Sequence, residues 1–291
     1  MILCAGLGSR LRPLSSWCTK ALVPVGDRAA LAHVIDRLEA AGLGHHVVNA
    51  HWRAPDLVAF AASRGGVQLS GEPELLGTAG GLEHAAELLG QGDVLVHNGD
   101  ILVDLDVAAL LAAHAAASQG ILATLAVRVV GDAGASNVGL DAAGEIVRLR
   151  RETVREGEVT GAEFSGVHVI GAELRLMLPK SGCLVGDVYL PALRRGTRLA
   201  AFRFEGDFTD IGSVASYHAA NLAWLRRTAR ASWQHPSAKL AAGVTLDASI
   251  VGDGAVVEGS GAVVRSVIWS GARATAPLVD AIVTPHGTVS V

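Results

Sequence analysis

A glycine-rich turn followed by two cations stands near the start of the chain. The sequence is apolar from Met1 to Ala5, reads GLGSRLRPL from Gly6 to Leu14, and continues as TKALVPV from Thr19 to Val25. Glycine lets backbone N–H groups approach an anion, and such turns form concave oxyanion nests. Arg10 and Lys20 add the positive charge that a triphosphate requires. The pattern points to a phosphate site; a surface loop with two solvated cations is the plain alternative. Two other phosphate loops do not fit. A dinucleotide fingerprint needs a third glycine where Leu11 stands and an acid about 20 residues on, yet Ala29 to Ile35 holds no acid. A Walker A loop ends in Gly-Lys-Ser/Thr, and the chain has no Gly-Lys pair.

A carboxylate stands at the end of a second apolar run. VLVH, from Val94 to His97, reads as a buried strand, and Asp100 follows it. At a strand end a carboxylate holds a hard cation or closes a turn, and both roles stay open from the residue alone. Asp104 and Asp106 read as structural, Asp106 as the N-cap of a helix running to Ala117.

The elements around these residues alternate. Leu31, Val34, Ile35 and Leu38 share one helical face. Short strands at His46–Ala50 and Val67–Leu69 and helical stretches at Leu57–Ala61 and Ala79–Leu89 follow. The alternation predicts right-handed βαβ units, hence an α/β fold with a Rossmann-like, mixed but mostly parallel sheet flanked by helices. Ligands on such sheets bind beyond the carboxyl ends of the strands, which places Gly6 and Asp100 on one crevice. Ser213 to Arg230 is a helix with Tyr217, Asn221 and Trp224 along it. The polar stretch Ala231–Ser237 marks a boundary between a first domain, residues 1–233, and a second, residues 234–291. In the second, small apolar residues and glycines recur at about six-residue steps. That period predicts a short left-handed parallel β-helix; an irregular β extension is the alternative.

Composition excludes several classes. With 291 residues and a net charge of −4, the chain carries no basic footprint for nucleic acid. Three scattered cysteines have no metal-ligand spacing and no disulfide framework, which fits a reducing cytoplasm. No signal peptide and no apolar run long enough to span a membrane is visible. The histidines are scattered; His45, His46 and His218 read as surface or packing residues.

The first loop resembles the signature of the sugar-phosphate nucleotidyltransferase family, roughly GxGTRLRPLT, a spacer, then PKPLVPV. Ser9 and Ser15 replace threonines, and Thr19 and Ala21 replace the prolines beside the lysine. GEPELLGTAGGL (Gly71–Leu82), NGDILVDLD (Asn98–Asp106), FSGVHVI (Phe164–Ile170) and FTDIGSVASYHAAN (Phe208–Asn221) extend the likeness along the chain. Relatives usually carry a few more residues before the first strand, so either that strand is short or the start is trimmed.

The resemblance implies the family's nucleotide-diphospho-sugar transferase fold and a reaction in which a sugar 1-phosphate attacks the α-phosphorus of a nucleoside triphosphate, releasing pyrophosphate. It implies Mg2+ on Asp100 and Asp210. It makes Arg10, Lys20, Asp100 and Asp210 catalytic: Arg10 on the β- and γ-phosphates, Lys20 between the α-phosphate and the sugar phosphate. Ala5, Gly6, Gly8, Ser9, Glu72, Gly77 and Thr78 are implied around the nucleotide, and Gly139, Ser165 and Gly166 with Lys20 around the sugar phosphate. Without the flanking prolines Lys20 is expected to be less rigidly presented. The family's Glu-Lys-Pro is absent: the chain reads Arg-Arg-Glu-Thr from Arg150, where Arg151 is a candidate for the missing charge.

Glu72 stands where uridylyl- and thymidylyltransferases commonly carry glutamine. An ionised carboxylate only accepts hydrogen bonds, which suits guanine N1–H and N2–H. ELLGTAGGL also resembles mannose-1-phosphate guanylyltransferases. GTP and a mannose 1-phosphate-like sugar are therefore expected. A uridylyl- or thymidylyltransferase, or a catalytically weak regulatory homologue that binds nucleotide sugar, are the alternatives. A homo-oligomer formed through the C-terminal domain is expected; acyl transfer by that domain is not, since His286 is the one histidine in the tail beyond residue 235.

Overall fold

A computed structural model describes residues 1–117 and 120–291. The chain divides into two compact units, Met1–Gly6 with Val34–Phe208, and Leu7–His33 with Thr209–Val291.

The first unit is built on a ten-stranded sheet. Its strands are β1 (Ile2–Leu3), β2 (His46–Ala50), β3 (Val67–Gly71), β4 (Val94–Asn98), β5 (Ile121–Asp132), β6 (Val138–Leu140), β7 (Ile146–Leu149), β8 (Glu152–Thr153), β9 (Thr160–Ile170) and β10 (Arg198–Arg203). The order is β8-β7-β6-β9-β4-β1-β2-β3, with β5 paired to β9 and β10 to β5. Strands β4, β1, β2 and β3 are parallel, joined by the helices α1 (Ala30–Ala40), α2 (Ala54–Arg64) and α3 (Gly77–His84). Each of these strands is followed by a helical period before the next, as a crossover requires.

The expectation of a mostly parallel sheet is corrected beyond β4. Strand β9 runs antiparallel to β4, β5 and β6, and β7 is antiparallel to both neighbours. The reason is connection length: the segments joining β5 through β9 are too short to return a chain to the same end through a helix. Val96, Leu125, Val127, Ile170, Leu199 and Tyr189 are buried in the core of this unit. Helix α4 (Val107–Ala115) begins as expected, with Asp106 Oδ1 accepting from the Ala109 N–H at 2.9 Å.

The second unit is organised by α5 (Val214–Arg227), which opens with a Ser213/Ser216 capping box. Tyr217, Asn221 and Trp224, one helical face, hold the hairpin formed by Pro24–Val25 and Arg28–Ala29. Tyr217 Oη donates to Pro24 O at 2.8 Å and Asn221 Oδ1 accepts from the Gly26 N–H at 2.9 Å. Gly26 has φ +63°, and a Cβ there would lie 2.1 Å from the Trp224 indole. Gly26→Ala therefore costs about 3 kcal/mol or more of stability, combining a left-handed backbone with overpacking. Repeating the thermal melt in a Trp224→Ala background should reduce that cost to the backbone part, about 1 kcal/mol.

The rest of this unit is a stack of short parallel strands. Trp233 pairs with Ile250 and Ile250 with Val267; Lys239 pairs with Val256 and Val256 with Arg273. Each step advances 17 residues (233 to 250 to 267). The same step lines up Ser232, Ser249 and Ser266, whose hydroxyls accept from the next layer's backbone: Ser249 N–H to Ser232 Oγ at 3.1 Å, Ser266 N–H to Ser249 Oγ at 3.0 Å. Gly287–Ser290 closes the stack antiparallel to Ala281–Thr284. Trp224 meets Trp233 edge-to-face at 6.1 Å and packs the helix on this stack. No helix among the described residues is long and apolar enough to cross a membrane.

Candidate active site

The glycine loop is held by its own side chains. Gly8 adopts φ +61° and its carbonyl accepts from Leu11 N–H at 2.9 Å and Ser15 Oγ at 2.7 Å. A Cβ at Gly8 would meet Ser15 Cβ at 3.0 Å and Lys20 Cβ at 3.3 Å, so glycine is needed on both counts. Leu11 and Leu14 are fully buried, which turns Ser9 and Arg10 outward. Thr19 and Ala21 are buried on either side of Lys20, and the short turn Lys20–Leu22 is closed by Leu22 N–H to Thr19 O at 2.8 Å. Burial thus fixes the lysine's neighbours where prolines are absent.

Arg10, Lys20 and Asp210 come together in the second unit. Asp210 Oδ2 lies 3.5 Å from Arg10 and Oδ1 3.5 Å from Lys20 Nζ. Charge-assisted bonds at full strength measure about 2.8 Å, so the carboxylate is oriented by two cations without being locked to either. Arg10 is 73% exposed and Lys20 only 13%. Gly212 backs the group: a Cβ there would sit 2.9 Å from Asp210 Oδ2 and 3.0 Å from the Arg10 guanidinium.

The first unit carries the other expected residues. Strands β1 and β4 are parallel neighbours, and Gly99 N–H donates to Leu3 O at 2.9 Å, so Gly6 and Asp100 leave the sheet at the same end. A Cβ on Gly6 would meet nothing within 4 Å, which leaves that turn open to a ligand. Ala5 is buried beneath it, and Asp100 is half-buried. Burial first, and then the Asp100 charge, push the Cys4 thiol far above its ordinary range, so Cys4 is an inert core residue.

Glu72 is 5% exposed. Its Oε1 accepts from Asn49 Nδ2 at 2.6 Å and its Oε2 from Leu76 N–H at 3.2 Å, while Asn49 Oδ1 accepts from Cys4 N–H at 2.6 Å. This buried chain ties the end of β1 to the end of β2 and to the loop before α3. Asn49 was not singled out from the sequence; an amide closing the apolar run His46–Val48 was the available signal. Gly77 has φ +74° with the Gly182 carbonyl 2.4 Å from where a Cβ would be, and Thr78 Oγ1 accepts from Leu184 N–H at 2.7 Å. Glu72→Gln necessarily turns one accepting oxygen into a donor facing an N–H. The variant should lose about 1–3 kcal/mol of stability, read as a lower melting temperature; an unchanged melt with an altered nucleotide preference would show that the carboxylate serves the ligand instead.

On the sugar side, Gly166 has φ +79° and Asn98 Nδ2 stands 2.7 Å from its missing Cβ. Ser165 is buried with Oγ donating to Ala126 O at 2.9 Å. Gly139 leaves room for the Glu158 carboxylate, 2.3 Å from where a Cβ would lie. Glu158 in turn pairs with Arg148 at 2.8 Å, and Arg148 also donates to Ser136 O and Arg150 O. At the Arg-Arg-Glu-Thr stretch, Arg150 donates to Cys183 Sγ at 3.0 Å and Glu152 pairs with Arg194, while Arg151 is exposed.

Asp100 and Asp210 offer only carboxylate oxygens, the donor set of Mg2+ rather than zinc. No group of three or more His, Cys, Asp or Glu side chains gathers as a metal cluster among the described residues. Mg2+ is commonly bound through one or two carboxylates together with substrate phosphates, so the chemistry of either carboxylate fits it.

A mixed α/β sheet whose parallel half carries a glycine turn and a carboxylate at its carboxyl edge has its ligand crevice there. The nucleotidyl transferase family model matches residues 1–149, and the chain belongs to that family. It is 42% identical over 107 residues to the N-acetylmuramate alpha-1-phosphate uridylyltransferase of Caulobacter vibrioides, covering 34% of this chain and 44% of that protein. With the enzyme of the same description from Neisseria meningitidis it shares 32% identity over 227 residues, 74% of this chain and 93% of that protein. With the mannose-1-phosphate guanyltransferase of Aspergillus oryzae it shares 26% over 239 residues, 79% of this chain and 65% of that one. The chain thus spans under two thirds of the Caulobacter and Aspergillus proteins. The crystal structure of HddC from Yersinia pseudotuberculosis complexed with GMP-PN superposes with a TM-score of 0.63 over 77% of this chain and 97% of that one, at 22% identity, and shows the shared fold.

Proposed function

We propose that the protein transfers a nucleotidyl group from a nucleoside triphosphate to a sugar 1-phosphate. The observation that carries this is the Arg10–Lys20–Asp210 grouping beside the glycine turn, in a chain of the nucleotidyl transferase family. A phosphomonoester is already ionised near neutral pH, its second pKa being about 6. No side-chain nucleophile is needed; two like-charged phosphates must be positioned and their charge offset. Exposed Arg10 takes the β- and γ-phosphates and stabilises the departing pyrophosphate. Sheltered Lys20 lies between the α-phosphate and the incoming sugar phosphate. Ala5, Gly6, Gly8, Ser9, Gly77 and Thr78 line the nucleotide, and Gly139, Ser165 and Gly166 the sugar. Asp100 and Asp210 hold Mg2+, which when bound offsets the charge of the reacting phosphates.

For the substrates we favour GTP and a mannose 1-phosphate-like sugar. The guanyltransferase likeness supports this; the burial of Glu72 removes part of the support. UTP is the second reading, favoured by the two uridylyltransferases at 42% and 32% identity. The test is pyrophosphate release from GTP, UTP, dTTP and ATP against a panel of sugar 1-phosphates with Mg2+. GTP turnover at least tenfold above UTP is expected, the reverse ranking establishes the second reading, and no release with any pair overturns the activity. We read the 17-residue stack as a short left-handed β-helix starting at residue 234, because its step lies one short of three hexapeptides. We assign it to homo-oligomer assembly in the cytoplasm; cutting at Ser237 should change the mass measured by light scattering more than turnover per site.

A further inference from the structure

A cleft of about 570 Å3 opens within the second unit, between residues 17–29 and the parallel stack. None of Arg10, Lys20 and Asp210 lines it. The volume lies within the roughly 300–1,000 Å3 range of small-molecule sites. Its walls carry the indoles of Trp17 and Trp233, and His286 stacks on Trp17 at 5.5 Å. Its polar groups come as donor–acceptor pairs. Arg28 grips Asp27 through Nε and a terminal nitrogen at 3.0 and 2.9 Å. His235 Nδ1 lies 3.3 Å from Asp253. Ser237 Oγ joins this second pair: it donates to Asp253 and lies 2.7 Å from His235 Nδ1.

These features select a ligand class. A purely apolar molecule would strip water from four charged or polar side chains without replacing it. A polyanion would meet two carboxylates and only one guanidinium, itself already paired. A hydroxylated ring suits both parts: its C–H face packs on indole, and each hydroxyl donates and accepts at once, as the paired groups do. We propose that this cleft is a second binding site, for a neutral hydroxylated ring such as a pyranose, separate from the site of nucleotidyl transfer. The ring arrives either as a free sugar or as the sugar end of a nucleotide sugar.

The experiment follows tryptophan fluorescence during titration with mannose, and separately with GDP-mannose, in wild type, Lys20→Ala, Asp253→Asn and His286→Ala. Asp253 and His286 are exposed, so both cleft variants should melt as wild type does. Saturable quenching by mannose is expected in wild type and in Lys20→Ala, weakened about tenfold in each cleft variant by loss of a charged hydrogen-bond partner or a stacking face. In Lys20→Ala, GDP-mannose binding tenfold more tightly than mannose and weakened about tenfold when Asp253→Asn is added identifies a nucleotide sugar as the ligand, and binding equal to that of mannose identifies a free sugar. The proposal is overturned if mannose gives no saturable signal in wild type, if binding is lost in Lys20→Ala, or if both cleft variants bind as wild type does. These outcomes are independent of whether pyrophosphate is released, so the two proposals fail separately.

Discussion

Asp210→Asn and Asp100→Asn should each lower turnover by two to three powers of ten while the melting temperature stays within a few degrees of wild type. Both substitutions keep the shape of the side chain and remove one negative charge. At Asp210 that charge faces Arg10 and Lys20 at 3.5 Å, and it is partly exposed, so its loss costs the fold little. Catalysis is more sensitive. On the proposed assignment, a hard cation that loses a carboxylate ligand is bound less tightly, and several kcal/mol of charge stabilisation would rest on it; about 1.4 kcal/mol is a factor of ten in rate. The measurement is pyrophosphate release over a Mg2+ titration. The apparent Mg2+ requirement should rise in both variants, and chelation with EDTA should abolish wild-type activity without unfolding the protein. A variant with normal turnover and a normal Mg2+ requirement would remove its residue from the proposed metal site.

Acid should begin to destabilise the first unit below pH 6.5, before its carboxylates titrate. His97 is 1% and His168 3% exposed. Burial depresses His97 to about 4, against the Asn98 carbonyl bond that favours its charged form, and His168 to about 3, with the Met1 ammonium and then His97 adding to the effect. Both ring nitrogens of His168 and the nearby Tyr189 hydroxyl lack hydrogen-bond partners, and the two rings meet edge-on at 5.7 Å. Both histidines are neutral in the folded state and take up protons in the unfolded chain below the ordinary value of 6.5. Their contribution is therefore fully present above pH 6.5 and is lost as the pH falls toward 4. At about 1.4 kcal/mol per unit, the two together withdraw up to about 7 kcal/mol over that window. Urea denaturation at pH 7, 6, 5 and 4.5 would show the decline. His168→Leu should flatten the slope and preserve or raise stability at pH 7, because two unsatisfied nitrogens leave the core. A slope unchanged in His168→Leu would assign the acid sensitivity elsewhere.

How much of this was legible in the sequence differed from one element to the next. Asp106 capped its helix and Ser213 opened its own, because capping is a contest between one side chain and the nearest backbone N–H groups. The parallel half of the sheet was readable because each strand and its crossover helix lie in one continuous stretch. Strands β6 to β9 pair as antiparallel neighbours, and pairing direction depends on partners that local pattern does not name. The C-terminal stretch showed its small-residue period as about six, whereas the layers advance by 17; the serines at 232, 249 and 266 carried that larger step in plain view. By itself, then, the sequence determined the α/β class, the glycine turn and the identity of the charged groups, since residue type and near-neighbour spacing set these. Only the tertiary structure decided that Arg10, Lys20 and Asp210 share one group, across 190 residues of chain between Lys20 and Asp210. It also decided that Glu72 is enclosed by Asn49 and Leu76, since burial and hydrogen-bond partners are fixed by packing between distant segments.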